Sequence, residues 1–295
     1  MKYISLFFLV GFFAISCNQN DSNKAKPLAY LELENSSLIV EEVADSLGVP
    51  WDVDASIAGK LWFTEQSGSV YRLNLETLEQ AEVLQIPDLL YKKSYGLLGM
   101  AVHPDESSVF LHYTFQSNED DLQQEVQSRI VRYSFEGDTL INPEILLDSI
   151  PGNTYHNGSR LIISPDKKLF FSMGDAGRPD QTQSDSILVG KILRLNLDGS
   201  IPDDNPIPGS PIWSRGHRNP QGLAFSDDGL FYSTEHGPNN DDEINLIKKN
   251  GNYGWPDVHG FCDEDFEQNY CAEYQIEEPL NRMDSHDCDF RVGLF

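Results

Sequence analysis

One pattern recurs four times along the chain and restricts its fold more than any other feature. Each copy has a start rich in Gly, Pro or Asn, an apolar strand, an Asp or Gly turn, an aromatic-rich second strand, a small polar loop and a third strand. The copies begin at Val49, Gly96, Arg160 and Gln221. Antiparallel units of three or four strands at intervals of roughly 45 to 60 residues are typical of a β-propeller, and no comparably long amphipathic helix competes with them. The sequence therefore predicts an all-β fold with about four propeller blades over residues 39–280.

The N-terminus predicts export. A basic start, an apolar run over residues 4–15 and small residues before Cys17 describe a signal peptide that is too short to span a bilayer. Because a cysteine follows the expected cleavage point, we interpret residues 1–17 as a lipoprotein-type signal, with an ordinary signal peptide as the alternative. Residues 18–38 then form a polar tether. We expect a bacterial protein that is periplasmic or anchored to the outer membrane through a lipid.

The formal net charge of −26 excludes one class of partner. Nucleic-acid binding needs a basic patch that neutralises phosphates, and this sequence has none. Most of the acidity is expected to be solvated surface. Export also favours a disulfide between Cys262 and Cys271 across a short acidic loop, which leaves Cys288 unpaired.

Three blocks in one stretch of the sequence predict a polar ligand site. Residues 216–222, 237–245 and 251–256 are rich in glycine, proline and side-chain amides, which suits binding loops better than a core. In a propeller, the first strands of the blades line the central channel. The loops that lead into these strands are therefore expected to lie together at one mouth of that channel.

Two side chains in these loops are candidates for chemistry. Arg218 carries a planar fork of donors that can grip a carboxylate or an ortho-quinone edge at two points; alternatively, it pairs with Asp241 or Glu243 and pins the loops. His156 precedes the third copy of the repeat, as Arg218 precedes the fourth. An imidazole there can act as a general base, since its unperturbed pKa lies near neutrality, or as a structural hydrogen-bonding group.

The three blocks, together with residues 96–105 and 190–206, resemble the glucose/sorbosone dehydrogenase family. Its members are soluble aldose dehydrogenases that use pyrroloquinoline quinone (PQQ) and calcium. The resemblance implies a six-bladed propeller of the soluble quinoprotein glucose dehydrogenase type, incomplete here at the C-terminus. It also implies an oxidoreductase that oxidises an aldose sugar at C1 by hydride transfer to PQQ, with an external electron acceptor that the sequence does not identify.

The resemblance assigns roles to individual residues. Arg218 and Asn219 would bind the quinone, and Arg218 would also stabilise the oxyanion that develops there. His156 matches the base that takes the proton of the anomeric hydroxyl. His236 would face the cofactor or cap its own turn.

The same resemblance implies a calcium site and shows two departures. The backbone carbonyls of Gly237 and Pro238 would bind the ion, which accepts oxygen ligands at flexible geometry. Ser94 stands where several members have Gln or Glu, and Tyr155 stands where the best-known glucose oxidisers have Asp. The preferred sugar therefore does not carry over from the family.

Two other functions fit a propeller with these features. One is a calcium-dependent lactonase, which would hydrolyse an ester and would not need Arg218 and Asn219 beside His156. The other is a non-catalytic, surface-anchored propeller that binds carbohydrate or protein through its tryptophans. Those tryptophans are Trp51, Trp62, Trp213 and Trp255.

The tail departs from the repeat pattern. Residues 282–290 show no strand pattern, so residues 281–295 are expected to form an atypical tail. Codons for residue 282 onward can be chosen so that translation one base later gives EWTPTIATSGLDY, and the family places Trp-Thr-Pro after Pro279 and Leu280. We interpret this as a reading-frame slip near Asn281, which would make His286 and Cys288 accidental.

Resequencing the gene across the codon for Asn281 tests this interpretation. We expect a frame that continues through further blade repeats, whereas a stop in both frames would contradict it. The polypeptide as written is expected to show little or no dehydrogenase activity. Aldose-dependent dye reduction at rates usual for the family, measured with added PQQ and calcium, would contradict that second expectation.

Overall fold

The computed structural model describes residues 26–87, 89–92, 94–116 and 126–283. In this part of the chain, four four-stranded antiparallel sheets follow one another, and a two-stranded hairpin precedes them. Each four-stranded sheet is a meander of consecutive strands. The sheets are the four predicted blades, so the all-β propeller fold is confirmed.

The strands of each blade are numbered in chain order. Blades 1 and 2 consist of β3 (Pro50–Asp54), β4 (Lys60–Glu65), β5 (Ser69–Asn74), β6 (Gln80–Gln85), β7 (Leu97–Val102), β8 (Ser108–Gln116), β9 (Val126–Glu136) and β10 (Thr139–Pro151). Blades 3 and 4 consist of β11 (Leu161–Ile163), β12 (Lys168–Met173), β13 (Lys191–Asn196), β14 (Ile212–Arg215), β15 (Pro220–Phe225), β16 (Phe231–Glu235), β17 (Asp242–Leu246) and β18 (Asn281–Met283).

The sequence pattern missed the fourth strand of each blade. Residues 281–283, which were expected to begin an atypical tail, form strand β18 instead, and this strand pairs with β17 in the register Asp242↔Met283 and Ile244↔Asn281. This strand has only three residues and includes Asn and Arg, so it carries no apolar alternation. Pairing with the open edge of β17 defines it, and such a long-range partner leaves no local signal.

The hairpin overlaps the residues expected to form a polar tether, 18–38, and extends beyond them to Glu42. Strands β1 (Lys26–Glu32) and β2 (Ser37–Glu42) pair antiparallel with each other. Large apolar side chains are exposed along both strands, at Leu28, Tyr30, Leu31, Leu38, Ile39 and Val40. The cleavage and lipid positions predicted at the N-terminus lie outside the described residues, as does Cys288.

One α-helix interrupts blade 4. Helix α1 (Asp265–Tyr274) lies in the connection between β17 and β18, and a reciprocal capping box between Glu264 and Glu267 begins it. The predicted disulfide between Cys262 and Cys271 is confirmed and ties this helix to the loop before it. No helix in the described part of the chain combines the length and apolar character needed to cross a bilayer.

The apolar core lies between neighbouring blades rather than within one sheet. Three clusters fill the three interfaces, and each joins side chains of adjacent blades. Trp62 and Leu97 meet between blades 1 and 2, and Phe170 and Phe231 meet between blades 3 and 4. Because Trp62 is wholly buried, it is unavailable for the carbohydrate stacking considered above.

Buried polar groups join the first strands of the blades along the channel. The Asp52 carboxylate on β3 accepts the Met100 N–H of β7 at 2.8 Å and forms an ion pair with Arg160 at the start of blade 3. Arg160 Nε donates to the Gln221 carbonyl of blade 4 at 3.0 Å. Burial lowers the pKa of Arg160. One side-chain pair therefore links all four blades.

We expect Asp52→Asn to lower the free energy of unfolding by about 3–5 kcal/mol, because removal of one partner strands the other charge in a buried site. Asp54→Asn is the matched control. Asp54 also accepts a β7 N–H, from Val102 at 2.8 Å, but no cationic side chain of the described residues pairs with it, so the Asp54→Asn change should cost about 1 kcal/mol. Urea unfolding of both variants measures the difference, and equal losses would contradict the assignment.

Candidate functional site

The loop that precedes β11 holds His156 in an uncommon backbone conformation. His156, Gly158 and Ser159 all have positive φ, at 55°, 64° and 102°. Gly158 is required here, because a Cβ at that position would lie 2.7 Å from the Gly174 nitrogen of the neighbouring loop. The two loops are therefore in direct backbone contact.

A buried carboxylate orients His156. Its Nδ1 lies 2.9 Å from Oδ1 of Asp175, whose side chain is 3% exposed. A carboxylate oxygen only accepts, so Nδ1 carries the proton and Nε2 is the free basic nitrogen. Asp175 was assigned no role from the sequence, so this partner was missed. A His in one loop and an Asp some twenty residues later leave no local spacing signal.

Glu235, which the sequence analysis also missed, fixes the loop of Arg218 from beneath. This carboxylate at the end of β16 accepts the backbone N–H groups of Arg218 and of Asn219, the latter at 3.2 Å. Oε2 of Glu235 also lies 2.9 Å from Nδ1 of His217. Nε2 of that imidazole lies 2.8 Å from the Ser214 hydroxyl. His217 is wholly buried, so its role is structural.

The Arg218 side chain reaches into the site with part of its hydrogen-bonding capacity unused. Nη1 donates to the His236 carbonyl at 3.1 Å, and the guanidinium carbon lies 5.4 Å from the centre of the Trp255 ring. Nε is buried and has no partner among the described residues. Burial lowers the pKa of Arg218, against the opposing charges of Asp175 and of other nearby carboxylates.

The two carboxylates considered as alternative partners of Arg218 contact other side chains. Asp241 lies 3.2 Å from Nε of Arg282, and Glu243 accepts from Asn245 at 2.9 Å. Burial, and then the neighbouring Glu235 carboxylate, raises the pKa of Glu243 to about 8.

A cavity of about 150 Å³ collects several of the predicted residues. Its walls include Trp51, Ser94, Tyr155, His156, Asn219 and His236. Asn219 holds two groups in place through Oδ1, which accepts the Gly158 N–H at 3.2 Å and Nε2 of Gln221 at 3.0 Å. The two positions that depart from the family pattern, Ser94 and Tyr155, therefore both face this space.

A smaller adjoining cavity of about 10 Å³ contains the predicted metal ligands. Gly237 and Pro238 line it together with Arg218 and Glu235, and His236 borders both cavities. No group of three or more His, Cys, Asp or Glu side chains suited to a metal ion occurs in residues 26–87, 89–92, 94–116 and 126–283. Any cation here would depend on backbone carbonyl oxygens as well as carboxylates.

The sequence profile of glucose/sorbosone dehydrogenase matches residues 47–284. The chain belongs to this family. It is similar to quinoprotein glucose dehydrogenase B of Acinetobacter calcoaceticus, with 40% identity over 236 residues that cover 70% of this chain and 49% of that protein. The chain thus spans about half the length of that relative. An uncharacterised protein of Synechocystis is 30% identical over 298 residues, covering 92% of this chain and 70% of the relative.

Solved structures of sugar dehydrogenases share the fold. The PQQ-bound form of aldose sugar dehydrogenase from Streptomyces coelicolor aligns with a TM-score of 0.72 and 30% identity, over 88% of this chain and 72% of that one. The apo-form of the soluble aldose sugar dehydrogenase from Escherichia coli aligns with a TM-score of 0.69 and 26% identity, over 82% of this chain and 74% of that one. The family resemblance and the propeller type are both confirmed.

A buried histidine of blade 2 supports the His156 loop of this family member. His112 Nδ1 lies 2.6 Å from Oγ of Ser159, and that hydroxyl also accepts the Gly99 N–H at 3.2 Å. Nε2 of His112 is buried and has no partner among the described residues. Burial lowers the pKa of His112 from 6.5 to about 3.

This shift predicts acid sensitivity. The folded state favours neutral His112, so its contribution to stability is complete above about pH 6.5 and falls by about 1.4 kcal/mol per pH unit as the pH drops toward 3. Between pH 6.5 and 5, urea unfolding should show the native chain losing about 2 kcal/mol more than His112→Gln. Parallel pH profiles for the two proteins would contradict the prediction.

Proposed function

We propose that this site oxidises an aldose sugar at C1, with PQQ as hydride acceptor and calcium as an assisting ion. One observation supports it most: the oriented His156–Asp175 pair and the loop of Arg218 and Asn219 border adjoining cavities that share His236. A proton acceptor thus lines one cavity, and the next is lined by Arg218, whose buried Nε–H has no partner among the described residues. That combination suits removal of a proton next to an anionic cofactor.

Proton removal is the part of the reaction that these side chains perform directly. Asp175 holds the Nδ1–H tautomer of His156, so Nε2 can accept the proton of the anomeric hydroxyl. As that O–H bond breaks, the C1–O bond becomes a carbonyl, C1 releases hydride and the sugar becomes a lactone. His156 lines the larger cavity, which is where we place the sugar.

Polar groups that border the two cavities fit a polyanionic quinone. The buried Nε of Arg218 has no acceptor within the described part of the chain, and a buried donor of this kind is costly unless a ligand satisfies it. We assign Arg218, Asn219 and His236 to the cofactor, and the carbonyls of Gly237 and Pro238 to calcium. When bound, PQQ supplies a two-electron acceptor and calcium supplies a Lewis acid. The PQQ-bound Streptomyces coelicolor structure, at 30% identity, supports PQQ as the cofactor.

The proposed setting is outside the cytoplasm. The Cys262–Cys271 disulfide supports an oxidising compartment, as does the expected lipoprotein signal of residues 1–17. An aldose is the proposed substrate, and the quinol formed would pass its electrons to an external acceptor.

We test the function by following one reduction of the bound quinone, because this measures the chemical step separately from reoxidation by an acceptor. Protein is mixed with PQQ and calcium, and the absorption spectrum is recorded before and after an aldose is added. His156→Gln should bind the quinone as the native chain does and reduce it about 10²–10⁴-fold more slowly. The control is His103→Gln, which alters a turn histidine paired with Asp105 and should leave both steps unchanged.

Three results would contradict the proposal: no quinone binding, no aldose-dependent change of the spectrum, or equal rates in His156→Gln. Calcium-dependent ester hydrolysis without a spectral change would favour the lactonase. Sugar binding without either reaction would favour the non-catalytic propeller.

A further inference from the structure

Trp255 is held in place through its backbone. Its N–H donates to the Gly216 carbonyl at 3.0 Å. Its carbonyl accepts the Thr182 hydroxyl at 2.7 Å and Nε2 of Gln183 at 2.8 Å. Loops of blades 3 and 4 therefore both anchor this residue, and its ring enters the site from a fixed point.

The indole ring joins the two halves of the candidate site. Its Nε1–H donates to Oδ2 of Asp175 at 3.1 Å. The Arg218 guanidinium carbon lies 5.4 Å from the ring centre, within the range of a cation–π contact. The His259 ring lies 5.1 Å away, in a tilted arrangement. One side chain thus touches both the partner of the proposed base and the proposed quinone-binding arginine.

The two oxygens of Asp175 are held differently. Oδ1 accepts Nδ1–H of His156 and the Gly177 N–H, each at 2.9 Å. Among the described residues, the indole N–H of Trp255 is the donor that holds Oδ2. Without it, a buried oxygen is left unsatisfied and the carboxylate is free to rotate about its Cβ–Cγ bond. Rotation would break the alignment of Oδ1 with His156.

We propose that Trp255 is a positioning residue: its indole N–H fixes the Asp175 carboxylate and so the Nδ1–H tautomer and orientation of His156. No contact between Trp255 and substrate is needed for this role. The effect on sugar oxidation rests on the proposed function, whereas the effect on the His156 tautomer does not.

The test is the imidazole spectrum of the full chain without cofactor. The protein is labelled with ¹⁵N-histidine, and two-dimensional ¹H–¹⁵N spectra are recorded near pH 8, where an ordinary imidazole is neutral. His156 is assigned by the loss of its signals in His156→Gln. In the native chain we expect the Nδ1–H tautomer with a low-field, slowly exchanging Hδ1 proton. In Trp255→Phe, we expect loss of that proton signal and a mixture of tautomers.

Two controls separate positioning from general damage. Trp213→Phe removes an indole whose N–H has no partner among the described residues, so the His156 signals should not change. His217 is the internal control, because its own Nδ1 contact with Glu235, at 2.9 Å, should persist in Trp255→Phe. Loss of the His156 signature with retention of the His217 signature supports the proposal. Retention of both overturns it.

A second variant covers the case in which Trp255→Phe loses both signatures. Replacing Trp255 with benzothienylalanine keeps the shape of the indole and puts sulfur in place of N–H. The proposal predicts the same loss at His156 alone, and an unchanged His156 signature overturns it.

A kinetic measurement extends the test to the proposed reaction. If aldoses reduce bound quinone, Trp255→Phe should slow that step by about 100-fold, the cost of a misplaced reacting group. If no aldose does so, the proposed function is contradicted. The His156 tautomer measurement still decides the positioning role of Trp255 by itself.

Discussion

The ion pair between Asp52 and Arg160 lies at the centre of the blade arc, and the loops of the site depend on it. Arg160 is four residues after His156, and it also reaches the Gln221 carbonyl on the first strand of blade 4. Gln221 in turn donates to Oδ1 of Asn219 and to the Gly158 carbonyl. A charge pair that joins blades 1 and 3 therefore also sets the spacing between the loops of His156 and Asn219.

Two buried carboxylates hold the functional groups of the site in place. Asp175 orients one imidazole, and Glu235 holds the backbone of the Arg218 loop. Both are almost fully buried, so their charges act over short distances and are little screened. What remains open to a ligand is a basic imidazole nitrogen and a guanidinium donor. Because the buried carboxylates fix these loops, the loops can be rich in glycine and still hold a fixed geometry.

The sequence predicted those parts of the molecule that have local signals. Apolar strands and turns at a repeated interval gave the blades, and the loops before β11 and β15 placed His156 and Arg218 on one side. Asp175 was assigned no role, and Trp255 was considered only as a ligand-binding tryptophan, because the partners that define them are 19 and 80 residues distant in the chain. The strand β18 was missed for the same reason, since its pairing with β17 is decided by tertiary contact and not by propensity.

The long connection inside blade 4 has a consequence for the order of folding. Strand β18 pairs with β17 across a separation of about forty residues, as in Asp242↔Met283, whereas most neighbouring strands are joined by short turns. Closing so long a loop costs entropy before any contact offsets it, so non-local pairings of this kind form slowly. Trp255 lies inside that connection. The ring that joins Asp175 to Arg218 is therefore expected to reach its place late, after blades 1 to 3 have formed. The Cys262–Cys271 disulfide lies in the same connection, so its formation lowers the entropy cost of closing this loop.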